Sequence, residues 1–499
     1  MPIPKEILAV ERPKNSIVIV YGKYRDRYAV RARIGCRSDG DRRLPINGPT
    51  IGHITDGRYI PLEENPVSPV LLSAIDLKDW AAIQLSQKLY ADMIDELCAV
   101  YTRHDALMLW CIAVLRVCFG GIKNYELKDS YEESFLSELY PGVALSKNTV
   151  STFLNNLGRS CSKITLFMRN RAAQVGIDHH VLIDGTLKSD ESKVNSLSDF
   201  SRKARTKGTR DISVLFAFDL EAMEPVCSKC FPGNMLDVTA YNEFIAEHHI
   251  TRGIIVADKG FPQSAAKHHF ADNPDLHYLN PLRRDSRIAS ELHMLEFTGL
   301  LCGYEGITYR KEQAADGRWI YSFRDASRAS QEERDWLKRS GIKKNYRLAD
   351  LQKASAVFGT VFLECDLDIE PEIIYKTYAM RWEIELVMRF YKSALEFDET
   401  RVHDDYSVIG SEFCDFLSSV LTFRMIRAFD KVKLLEEMPY KRIMKILARA
   451  KMFNDPDYGR RLIRIHPSYE EILKRLEIHP TEKLQPKKKR GRPPKHKNV

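Results

Sequence analysis

The chain has no apolar run long enough to cross a bilayer. Its longest greasy stretch, LMLWCIAVLRVCF from Leu107, is interrupted by Arg116 and falls short of the roughly 20 apolar residues a spanning helix needs. That stretch reads as a buried helix, and no membrane partner is expected. The opening MPIPKEILAVERPKN has no continuous apolar segment after its charges, so neither a signal peptide nor an anchor is indicated and the expected location is the cytoplasm. Cysteine is also too sparse for a disulfide framework: ten are scattered from Cys36 to Cys414, many in apolar runs, as reduced core thiols would be. Cys227 and Cys230 form a lone CxxC, with the pair His248 and His249 beyond a predicted helix, so zinc is not assigned. Extended disorder is confined to the tails, and 44% apolar residues with 10% aromatics suffice for more than one core.

Charge of one sign is missing from most of the chain. The formal net charge is +8, but Gln485–Val499 supplies seven Lys and Arg and no acid, leaving about +1 elsewhere. Such a block cannot pack a core and gains order on a polyanion, where each phosphate contact releases counterions. Its centre, Arg490-Gly491-Arg492-Pro493, resembles the AT-hook, whose extended Arg-Gly-Arg core lies in the narrow minor groove of A/T-rich DNA; the alternative is a generic basic solubilising tail.

The texture of the sequence divides the rest. Residues 1–70 hold β-patterned runs such as SIVIVYGKYRDRYAVRARIG bounded by Gly, Pro and Asn, which predict a small N-terminal β unit. Residues 71–175 change to helical spacing, a helical domain expected to bind DNA. Within it Ser146 is a predicted N-cap for a short polar-faced helix ending near Gly158, which suits either a recognition helix or a surface helix of a bundle. Residues 176–283 alternate short β-branched runs with helical DVTAYNEFIAEHH, an α/β fold with a mixed sheet. A C-terminal helical region follows at 431–484 before the basic tail at 485–499. The basic run SRKARTKGTR from Ser201 to Arg210 reads as either a track for a DNA backbone or a solvated hairpin tip. The histidine pairs beginning at His179, His248 and His268 read as structural or surface residues, because hard-metal chemistry does not need imidazole.

Two of the strands end alike. VLID closes on Asp184 and IIVAD on Asp258, and an acid that terminates a buried strand suits a site at the sheet edge better than core packing. The third group lies in YAMRWEIELVMRFYK, residues 378–392. At about 100° per residue Tyr378, Arg381, Glu385 and Lys392 fall within an arc of roughly 60°. Ile373, Met380, Ile384, Val387, Tyr391 and Leu395 gather on a neighbouring arc that is expected to be the buried stripe. Two strand-end aspartates and one helix glutamate supply the oxygen ligands of a two-metal phosphoryl-transfer site, with Mg²⁺ as the expected ion and Mn²⁺ as a substitute. Arg381 suits a bidentate grip on phosphate, Lys392 a point charge, and Tyr378 a ring and hydroxyl for a nucleotide; the alternative for this face is a plain i,i+4 ion pair of Arg381 with Glu385 on a solvated helix.

The spacing Tyr378-x2-Arg381-x3-Glu385-x6-Lys392 matches the YREK signature, and the chain resembles the DDE transposases of insertion-sequence family four. The blocks VLIDGT, FPGNMLD, ADKGF and YAMRWEIE, and the segment from Gly22 to Pro61, are similar to that family's blocks and to the leader of its longer members. The resemblance implies an RNase H-like catalytic domain in which Asp184, Asp258 and Glu385 bind two metal ions and form the catalytic triad. It implies that Tyr378, Arg381 and Lys392 contact the transposon-end DNA near the scissile phosphate. It also implies a mostly β insertion, placed at 284–365, with the core resuming over 366–430. Relatives hold a flipped base on an aromatic of the insertion, for which Trp319, Trp336 and Phe358 are available here without a motif to choose among them. The expected activity is that of a metal-dependent endonuclease and strand transferase of an insertion sequence. It would act as a homodimer on double-stranded DNA and associate with the nucleoid when bound. The rival readings are a non-catalytic DNA-binding protein and an RNase H-like nuclease without strand transfer.

Overall fold

The computed structural model describes residues 3–21, 27–39, 42–62, 76–190, 192, 194–201, 208–257, 263–342, 347–381, 399–400, 402–455 and 459–479. The chain divides into two compact units, Met1–Asp76 and Leu77–Val499.

In the first unit β1 (Ser16–Tyr21), β2 (Arg27–Asp39), β3 (Arg42–Thr55) and β4 (Arg58–Pro61) form an antiparallel sheet in that order. The β3–β4 hairpin turns at Asp56-Gly57, both at positive φ (52° and 69°), the Asp-Gly turn whose twist matches the flanking strands. Val18, Val30 and Ile54 make a small core, packed by Ile7, Tyr28 and Tyr59. The unit ends six residues later than the boundary expected at residue 70.

The helical segment after β5 (Leu77–Asp79) was expected to be a domain of its own, but it is continuous with everything that follows. Helix Arg103–Phe119, capped by the Thr102 hydroxyl, is buried on nearly every side. A helix apolar all round has to be covered all round, and helix Asp405–Lys431 provides one wall. Helix Lys147–Arg159 starts at the expected cap, Ser146, whose hydroxyl accepts the Thr149 N–H. It crosses helix Asp405–Lys431 at two glycines. A Cβ on Gly158 would stand 1.9 Å from the Tyr406 carbonyl oxygen, and one on Gly410 would stand 2.1 Å from that of Leu154. The opposite face, with Lys147, Asn148, Ser151 and Thr152, is exposed.

The central sheet is built from β6 (His180–Ser189), β7 (Asp199–Phe200), β8 (Arg210–Asp219), β9 (Glu224–Pro232), β10 (Gly253–Ala257) and β11 (Leu276–Leu282). β6, β8 and β9 form an antiparallel meander. Helix Asp237–His248 then returns the chain so that β10 lies parallel to β6, and helix Gln263–Asp272 repeats the crossover to place β11 parallel to β10. β6, at the centre, opens on the apolar run Val181–Ile183, buried on both faces, and turns mostly polar from Asp184 onward.

The segment 284–365 extends this sheet through β12 (Gly299–Leu300), β13 (Ile307–Gln313), β14 (Trp319–Asp325) and β15 (Thr360–Cys365), with β15 antiparallel to β11. Expected as mostly β, its described residues hold more helix than strand, 30 in Arg287–Glu291, Ala326–Ile342 and Leu348–Ser355 against 22 in the four strands. The long helix is polar, and i,i+4 partners such as Arg328–Glu332 and Gln331–Asp335 support it where an apolar stripe does not. The C-terminal region is helical with a small sheet: β16 (Lys451–Asp455) pairs with β17 (Gly459–Leu462) and with β5. No helix among the described residues is long and apolar enough to cross a membrane.

Candidate functional site

Val181, Leu182 and Ile183 are buried, and Asp184 is the first residue of β6 to emerge, half-buried and in register with Phe216 of β8; it was expected to end its strand, but pairing with β8 carries β6 on to Ser189. Its Oδ1 accepts the Gly185 N–H at 2.9 Å. On the other side β10 runs parallel, Ile254 to Ala257 matching His180 to Ile183. Ala257 therefore sits beside Ile183, one residue before Asp184, and Asp258 is the next residue of the sequence. Asp258, Glu385, Lys392 and the tail residues Arg490, Gly491, Arg492 and Pro493 lie outside the described residues, as do residues 202–207 of the basic run.

Tyr378 and Arg381 lie in the helix over residues 371–381. The Arg381 guanidinium carbon is 5.8 Å from the Tyr378 ring centroid. Tyr378 is only 8% exposed and belongs to the core, whereas Ile373, expected on the buried stripe, is 48% exposed. The buried face runs instead through Pro371, Ile374, Thr377 and Tyr378. The apolar count missed it because Thr377 is polar, and it is buried where its hydroxyl meets His180 Nε2 at 3.4 Å. Of the aromatics in the insertion, Phe358 is buried, and Lys311 Nζ lies 4.8 Å from the Trp319 ring.

Both ends of β6 are tied down by polar contacts that sequence reasoning missed. At the start, Glu221 takes the His180 N–H at 2.7 Å and pairs with His180 Nδ1 at 2.7 Å. Burial raises the Glu221 pKa, but the bonds from His180 outweigh it and hold the carboxyl below its ordinary range. His179 Nδ1 pairs with Asp219 at 2.7 Å, which holds the imidazole above its usual pKa. His179, Asp219 and Glu221 bring their ligand atoms within 4.8 Å of one another. They are the only such group among the described residues, and they stand at the start of β6, whereas Asp184 lies midway along it. At the far end, Lys188 is buried and binds Glu412 (2.6 Å) and Asp415 (2.9 Å), and Asp415 also meets Arg116 at 2.6 Å. These acids stand at i and i+3 in the apolar context SEFCDFLSS, a signal that one helix turns two carboxylates inward. Ser189 then bridges to Glu399, and its carbonyl accepts the Thr400 N–H at 2.9 Å.

Burial keeps both thiols of the lone CxxC protonated, pushing Cys227 and Cys230 well above the usual thiol range. His248 is likewise buried, packed on Phe244 with ring centroids 4.8 Å apart.

Residues 177–407 match the family model of the transposase DDE domain, a span that encloses Asp184, Asp258, Tyr378, Arg381, Glu385 and Lys392. No curated protein matches. Among solved structures the chain is similar to the piggyBac transposase synaptic complex with hairpin DNA, at 11% identity and a TM-score of 0.39, over 74% of this chain and 79% of that one. It is also similar to the Mos1 transposase paired-end complex with the left transposon end, at 12% identity and a TM-score of 0.15, over 32% and 58%.

Proposed function

We propose that the chain is a DDE transposase that binds the terminal inverted repeats of its element, cleaves the ends and joins their 3′-hydroxyls to target DNA. The observation that carries this reading is the parallel register of β6 and β10. Two buried strands run side by side, and the residue that follows the last matched pair is an aspartate on each. Glu385 is assigned to the same place, on the strength of what flanks it. The segment that holds Glu385 leaves the described residues at Arg381, whose helix touches His180 through Thr377, and resumes at Glu399 against Ser189. Its two flanks are therefore fastened to the two ends of the strand that carries Asp184. A central β6 with one antiparallel and one parallel neighbour supports the RNase H-like reading.

The donor set suits a hard cation: three carboxylates, the described one half-buried where the apolar run of β6 stops. Asp184, Asp258 and Glu385 would hold two Mg²⁺ ions, which when bound supply Lewis acidity for activating a water or 3′-hydroxyl and stabilising the leaving oxygen. Arg381 is assigned to the phosphate, gripped bidentately, with Lys392 as a second cation. Tyr378, buried beneath the guanidinium, is assigned to aiming Arg381. A homodimer that holds both ends would complete the assembly, in the cytoplasm on nucleoid DNA.

Strand transfer separates this reading from a plain nuclease. Pre-cut element ends with free 3′-hydroxyls, mixed with protein, supercoiled target and Mg²⁺, are expected to yield joined products. Hydrolysis of the ends without any joined product would support the nuclease instead.

A further inference from the structure

The two longest strands of the first unit outrun their neighbours. β1 pairs with β2 only from Arg27 to Ala32, and β4 pairs with β3 only from Gly52 to Thr55. Past Arg33, whose N–H still bonds the Asn15 carbonyl at 2.8 Å, β2 and β3 pair only with each other among the described residues, up to Asp39↔Arg42. The result is a two-stranded ribbon whose described side chains form no apolar core. Ile34 is 66% exposed and Ile46 41%, and Arg33, Cys36, Pro45 and Asn47 are exposed too. Val18, Val30 and Ile54, the core of the unit, all lie outside the ribbon. Register shifts between Val30 and Gly35 add twist to its base. An isolated two-stranded ribbon is marginal in water, so this one gains most from a partner.

Charge identifies the partner. Residues 1–62 hold twelve Lys and Arg against six Asp and Glu, a net charge of +6, while residues 63–484 hold 57 against 62. Arg33, Arg37, Arg42 and Arg43 stand in the ribbon itself. Two copies of so basic a unit repel each other, whereas a duplex attracts one by counterion release. The size also fits. Seven residues at about 3.3 Å each give a ribbon about 23 Å long, and a major groove about 12 Å wide admits two strands side by side. We propose that the β2–β3 ribbon is a groove-reading arm for double-stranded DNA, its arginines meeting phosphates and guanine edges and Ile34 and Ile46 meeting thymine methyls. It rests on the transposase reading only in taking an element end as the preferred duplex.

The test uses the full chain in EDTA, with fluorescence anisotropy on an element-end duplex and on a scrambled duplex across a salt series. Replacing Arg33, Arg37, Arg42 and Arg43 by Ala is expected to weaken binding to both and to reduce the slope of log affinity against log salt by up to about 3.6, at about 0.9 per lost phosphate contact. Replacing the same four by Lys is expected to keep the slope and lose the preference for the element end. An Ala variant with unchanged melting, affinity and slope overturns the proposal. So does one that becomes monomeric without losing DNA affinity, which would assign the ribbon to self-association. A native chain that loses its slope in the Ala variant yet never cuts DNA in Mg²⁺ would leave the arm standing and remove the transposase reading. One that cuts while the Ala variant binds normally would do the reverse.

Discussion

Lys188 offers the sharpest test of how the strand bearing Asp184 is held. It is 2% exposed, and its ammonium meets Glu412 and Asp415, which are themselves nearly buried. Lys188→Met keeps the stem and removes the charge, leaving two buried carboxylates against the single guanidinium of Arg116. Breaking such a cluster costs about 3–5 kcal/mol, a large fraction of the roughly 5–15 kcal/mol that holds an ordinary domain folded. Burial already raises the Glu412 pKa, so the loss should shrink at acid pH, where the carboxyl takes up a proton. Adding Glu412→Leu removes the orphaned charge and should recover most of the loss, because an apolar replacement of a buried pair is often neutral or better. Urea unfolding followed by tryptophan fluorescence reads the larger unit, since the first unit contains no tryptophan and Trp80 and Trp110 are fully buried in the second. A loss below about 1 kcal/mol, or a double variant no better than the single one, would refute the argument.

The crossing of helices Lys147–Arg159 and Asp405–Lys431 depends on Gly158 and Gly410, where an added Cβ would meet backbone at 1.9 and 2.1 Å. Ala at either position should cost at least about 1–3 kcal/mol, seen as a lower Tm. His248 is pushed down to about 4, chiefly by burial. Its folded state resists a proton that the unfolded chain accepts near pH 6.5, so stability is expected to fall as pH drops from about 6.5 to 4, by about 3 kcal/mol in all. His248→Phe should flatten that window in melts taken at each pH. Arg381→Lys keeps the charge and loses the fork; it is expected to retain end binding in a gel-shift assay while cleavage falls at least tenfold.

The aspartates stood out because an apolar run that stops at an acid is a local signal, but the strand end did not: β6 continues past Asp184 to Ser189, where its pairing with β8 ends. The cap at Ser146 was legible as a local signal too. What the sequence concealed depends on partners far along the chain. Thr377 counts as polar until His180 is brought to it, so the buried face of its helix was set one step off. Lys188 reads as an exposed strand residue until helix Asp405–Lys431 arrives with two acids. The helical segment from residue 77 reads as a domain because its helices are contiguous, yet the wall that covers Arg103–Phe119 comes from some three hundred residues later. The seven Lys and Arg of the tail crowd into fifteen residues, whereas the N-terminal arginines are spread through β-patterned sequence and come together only in the paired β2–β3 ribbon.

The central claim is that three carboxylates act together on a phosphodiester. Its most direct test is single-turnover cleavage of element-end DNA in Mg²⁺ by the native chain and by Asp184→Asn, Asp258→Asn and Glu385→Gln, each checked for end binding in EDTA. The account predicts that all four bind the ends and only the native chain cuts, leaving 3′-hydroxyls. A variant that binds and cuts like the native chain would contradict it.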